Sequence, residues 1–140
     1  MSDLYDRDFY AWSNEQAALL RSGNLGAADI AHIAEEIETL GRGEKRELVG
    51  GLAVLLLLRL KWEFQPDRRS RSWELSIDNA RHAITEHLLD NPSLTSRIRE
   101  ALESAYYTAR RKAAIETGLA LETFPPDCPW TFDQAMQADG

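Results

Sequence analysis

Seven consecutive apolar residues, Leu52 to Leu58, constrain this chain more than any other feature. A helix through them is apolar around its whole circumference, so other elements or a second subunit must cover it on several sides. The residues that would cover it are helix formers. Leu occurs nineteen times and Ala eighteen, against two Val, and a sheet would draw on β-branched and aromatic residues. The fold class predicted is all-α: a single-domain bundle of about five helices over residues 1–140, with a Pro-rich C-terminal segment. At this length roughly two thirds of the unfolded surface is removed from water in one core.

Periodicity divides the chain. A first helix is predicted from about Asp6 to Ser22, capped by Asp6, with Phe9, Trp12, Gln16, Leu19 and Leu20 on one face. A second spans about Ala27 to Leu40, with Ile30, Ile33, Ala34, Ile37 and Leu40 as its apolar stripe and Gly41 and Gly43 marking its end. The third, from about Glu44, contains Gly50 and Gly51, which either allow close packing or divide it. Pro66 ends it at Phe64. A fourth runs from about Ser70 to Leu89, burying Trp73, Ile77, Ala80, Ile84 and Leu88. Asn91-Pro92 turns into a fifth that reaches Thr117, where Ala101, Ala105, Ala109 and Ala113 form a line of small side chains for close helix approach. Three prolines in FPPDCPW, Phe124 to Trp130, exclude regular helix, and Thr131 caps a last short one to Met136.

Composition excludes several functions. The net charge of −7 argues against a dedicated nucleic-acid binder. The lone Cys128 forms no internal disulfide, and MSDLYDRDFY lacks the basic and apolar regions of a signal peptide. No apolar run approaches the roughly 20 residues of a membrane span. A cytoplasmic location without membrane attachment is the expectation. Phosphate-binding glycine loops, CxxC pairs and HExxH are all missing.

Two constellations remain. Asp29, His32 and Glu36 share a flank of the second helix, and His87 on the fourth is the natural partner for a four-residue metal site. The plainer reading is a solvated carboxylate flank with a surface histidine, and it carries more weight. Arg59, Lys61, Arg68, Arg69 and Arg71 form a basic group suited to an anionic ligand. Here too the plainer reading leads, with Arg59 buried in an ion pair to Glu36 or Glu38 and a solvated basic loop after it. The four tryptophans read as core, and Cys128, without a basic neighbour, as an inert thiol.

The segments FYAW at Phe9 to Trp12, EEIETLGR at Glu35 to Arg42, LKWEFQP at Leu60 to Pro66, RSW at Arg71 to Trp73, and FPPDCPW resemble one bacterial family, domain of unknown function 29. The resemblance covers nearly the whole chain and implies a compact helical bundle in a bacterial cytoplasm. It implies no activity, cofactor or catalytic residue. That family often carries a histidine where Leu58 stands, so any chemistry of that histidine is lacking here.

Three functional readings stand at this point, with the cofactor unknown. The preferred one is a binding or interaction module that self-associates, because five short helices leave part of Leu52 to Leu58 uncovered. The others are a metal-dependent hydrolase using the Asp29, His32, Glu36 and His87 set, and a nucleic-acid partner acting through the basic loop. A further protein partner is compatible with the first.

Overall fold

The computed structural model describes residues 4–138. Every regular element among them is helical: α1 (Leu4–Arg7), α2 (Phe9–Arg21), α3 (Ile30–Phe64), α4 (Arg71–Asp90), α5 (Ile98–Thr117) and α6 (Phe132–Met136), with 3-10 turns at Pro66–Arg68, Pro92–Arg97 and Leu121–Thr123. The all-α class is as expected. The chain forms two compact units, one ending at Gly43 and one beginning at Glu44.

Three boundaries differ from those expected. The first helix is divided at Asp8, whose carboxylate accepts from the Ala11 amide at 3.1 Å and caps α2. Asp8 therefore does the capping expected of Asp6. Gly41 and Gly43 do not end a helix; the second and third expected helices are one helix of 35 residues. A glycine inside a helix costs about 1 kcal/mol relative to Ala but removes no hydrogen bond, so a long helix runs through several of them. Gly50 and Gly51 likewise lie within it. At Gly51 an added Cβ would meet Ile84 Cγ1 at 3.3 Å, so α4 packs closely there.

In the first unit α2 buries Trp12 and Gln16. Asp29, immediately before α3, and His32 and Glu36 in its opening turns face Tyr5 of α1 and Trp12 of α2. The apolar stripe lies on another flank and stays mostly open: Ile33 is half-buried, but Ile30, Ile37 and Leu40 are 53%, 63% and 71% exposed.

In the second unit the core forms around α3. Leu48, Leu52, Leu55, Leu56 and Leu60 are fully buried against Ile77 and Ile84 of α4 and the α5 row Ala101, Ala105, Ala109 and Ala113. Each of those alanines is buried, so the small side chains of α5 are packed wholly inside this cluster. Leu57 and Leu58 are half-buried against the same cluster, and of the apolar run only Val54 is exposed. The run is thus largely covered by its own unit, so it supplies less surface for a partner than the sequence suggests.

Local signals set the connections. Pro66 follows Gln65 at φ −133° and ψ 62°, outside helical geometry, and α3 stops at Phe64. Ser70 caps α4 by accepting from the Trp73 amide at 3.2 Å. Gly118 at φ 74° closes α5 in the left-handed region. The chain then returns along α5, placing Phe124 fully inside the core and starting α6 with a Thr131–Gln134 capping box.

Candidate functional site

The flank of Asp29, His32 and Glu36 is a hydrogen-bonded clasp inside the first unit. Gln16 Oε1 accepts from the Asp29 amide at 2.7 Å. Asp29 Oδ2 accepts from Trp12 Nε1 at 3.1 Å and lies 2.7 Å from His32 Nδ1. A carboxylate only accepts, so that imidazole nitrogen carries the proton. The Tyr5 ring stacks on His32 with centroids 3.9 Å apart, and its hydroxyl donates to Glu36 at 2.6 Å. Donation to Glu36 holds the phenol as O–H and pushes its pKa up to about 12.

The same contacts shift the ion pair. The hydrogen bond to Asp29 raises the His32 pKa, and the bond from His32 lowers that of Asp29. Protonated His32 contributes stability fully below its ordinary value near about 6.5 and loses it as pH rises through the raised value. Ionised Asp29 contributes above its ordinary value and loses it as pH falls through the lowered one. The clasp is therefore firmest between roughly pH 4 and 6.5. An NMR titration is expected to place the His32 midpoint above that of a free imidazole, and Asp29→Asn to bring it back. A wild-type midpoint at or below the free value contradicts this geometry.

His87, expected as the fourth member of that set, has its contacts in the second unit. Its Nε2 lies 2.8 Å from the carbonyl oxygen of Glu44, which fixes the proton on Nε2. Its Nδ1 faces Glu47 Oε2 at 3.5 Å. Among the described residues one group of three or more histidine, cysteine or acidic side chains brings a ligand atom from each within 4.8 Å of the others, and it is Glu44, Glu47 and His87. Of the four residues singled out for metal in the sequence it holds His87 alone. The signal was present as Glu-x-x-Glu at Glu44 to Glu47, which places both carboxylates on one face one turn apart. A cleft of about 310 Å³ opens beside Glu47 and His87, floored by Gly50, Gly51, Val54 and Ile84.

The basic group is mostly engaged in packing. Arg59 is 4% exposed, donates to the Gln134 carbonyl at 2.7 Å and lies over the Trp130 ring at 4.5 Å. Lys61 pairs with Glu116 at 2.6 Å. Arg69 donates to the Trp62 carbonyl at 2.9 Å and covers the Trp62 ring. Arg68 and Arg71 are exposed at the α3–α4 connection. The five do not share one described contact.

A cleft of about 860 Å³ runs between α5 and the Pro-rich segment, with Arg99, Tyr107, Arg111, Asp127, Cys128 and Trp130 on its walls. Burial pushes the Cys128 thiol up, and Sγ lies 3.3 Å from the Trp130 carbonyl, an environment that keeps the sulfur protonated. Tyr106 donates to the Pro125 carbonyl at 2.5 Å, and burial holds its pKa at about 12. Sequence reasoning missed this cleft, because its walls meet only once the Pro-rich segment folds back on α5.

The fold class is an all-helical protein in which no described helix is long and apolar enough to cross a membrane. The chain belongs to the family Domain of unknown function DUF29, whose model matches residues 4–139. No curated protein and no solved structure matches it. Membership brings no assigned activity, and the function of the chain is unknown.

Proposed function

We propose that this protein is a helical interaction module whose partner is a second copy of itself, joined through the open face of α3. The observation that carries this reading is the exposure of the Ile30, Ile33, Ala34, Ile37 and Leu40 stripe: Ile30, Ile37 and Leu40 are each more than half exposed, and only Ile33 is half-buried. Contiguous apolar surface of this kind is costly to leave in water and is usually covered by a partner. Gly41, four residues beyond Ile37 on the same face, has open space where a side chain would stand, which suits a closely approaching second helix. A second copy brings the same stripe, so a two-fold pair satisfies both at once. In this reading residues 1–140 act as one domain, in keeping with the single family match, and the chain works in a bacterial cytoplasm, where a lone thiol stays reduced.

Ile37→Lys tests the proposal, since it places a charge in the middle of the stripe without touching a buried residue. The wild-type chain is expected to sediment as a dimer and the variant as a monomer of unchanged helicity. A variant that dimerises as well as the wild type sinks the assignment to this face.

A further inference from the structure

We propose that Glu44, Glu47 and His87 form a binding site for a divalent transition cation of the zinc class. The inference stands apart from self-association and rests on the imidazole. Nε2 donates to the Glu44 carbonyl, which leaves Nδ1 as the nitrogen available to an ion. That is the outer-shell arrangement by which metal-binding histidines are oriented, one nitrogen tied to a carbonyl and the other left for the ion. At Nδ1 the ring faces a carboxylate oxygen of Glu47 at 3.5 Å, and Glu44 Oε2 stands 3.6 Å from Nε2, so a metal ion at Nδ1 would take the place that a ring proton otherwise fills between imidazole and carboxylate.

The separation also has the right size. Zinc bonds to nitrogen and carboxylate oxygen are each about 2.1 Å long, so two ligands on one tetrahedral edge stand about 3.4 Å apart. Glu44, one turn before Glu47, supplies the third ligand atom, with all three within 4.8 Å of one another. One imidazole and two carboxylates form a borderline donor set, suited to zinc or manganese.

The two helices supply different qualities. His87 comes from α4 with its side chain only 12% exposed, so its position is set by packing. The two glutamates are about half exposed or more and project from the surface of α3; Glu44 accepts from Asn91 Nδ2 at 3.4 Å, while Glu47 has room to close on an ion and leave a coordination position for water. The cleft over Gly50, Gly51 and Ile84 begins at Glu47 and His87 and gives that position room for an apolar group.

Titration calorimetry of the full chain with zinc chloride, after chelator treatment, tests the site. One ion per chain is expected, with affinity at least about tenfold weaker in His87→Gln and in Glu47→Gln. Nitrogen-15 spectra of the wild-type imidazole are expected to show Nδ1 of His87 shifting on zinc addition while Nε2 keeps its proton. Glu47→Gln alters only an exposed side chain, so it remains informative if His87→Gln disturbs folding. No binding, binding unaltered by either substitution, or a shift at Nε2 in place of Nδ1 overturns the proposal.

Discussion

Phe124→Ala is expected to lower the free energy of unfolding by about 3–5 kcal/mol, more than any surface substitution in the chain. Phe124 leads the Pro-rich segment yet is fully buried, edge-on to Phe64 with centroids 5.0 Å apart. Its carbonyl is also held, accepting from Arg110 Nε at 3.2 Å and Nη2 at 3.1 Å. Removing the ring empties the point where the segment after α5 meets α3, and the rigid prolines that follow restrict how far the segment can collapse into the space. Phe124→Leu keeps most of the volume and should cost less than half as much. Urea unfolding followed by circular dichroism measures both. A Phe124→Ala loss below about 1 kcal/mol would mean that the segment is not anchored in the core, since such small values are ordinary for surface positions.

Arg59→Met should cost about 3 kcal/mol, because it removes a charge-assisted bond to the Gln134 carbonyl and a desolvated stack on Trp130 while keeping an unbranched stem. Arg59→Lys is expected to recover little, since an ammonium lacks the planar face that lies over the indole. This separates the structural role from anion binding. If Arg59 serves an anionic ligand, then without that ligand the charge is a burden, Arg59→Met is neutral or stabilising, and added phosphate raises the stability of the wild type alone. A loss near 3 kcal/mol that phosphate does not alter assigns the residue to holding the C-terminal segment.

These two positions also show how much of the molecule could be read from residues alone. The helical class and the buried faces of α4 and α5 follow from period and composition, because Ile77, Ile84 and the alanines repeat at helical spacing and nothing competes with that signal. The junction at Gly41 and Gly43 was misread because a glycine is both a helix terminator and a tolerable interior residue, and only the hydrogen bonding around it decides between them. Arg59 was legible as buried from its place in the leucine stripe. Its partners were not, since Gln134 lies 75 residues away and offers a backbone carbonyl, a group every residue carries. Phe124 sits in a segment whose prolines announce only that helix is absent. The proposed cation site was half legible: His87 stood out, but its carboxylate partners were sought at Asp29 and Glu36, whose side chains turn to Trp12 and Tyr5 instead.

The amphipathic stripe on α3 leaves a contradiction that a partner would resolve. Its period is that of a buried helix face, and neither α1 nor α2 covers it. The chain carries a net charge of −7, so two copies repel one another and salt should favour their union by screening that repulsion.

Sedimentation equilibrium of the wild-type chain, diluted from roughly 100 to 1 μM at low and moderate salt, tests the central claim most directly. The account predicts a mass of twice 15.8 kDa at the upper concentrations, dissociating on dilution and at lower concentrations when salt is added. A mass of one chain across the whole range would contradict it.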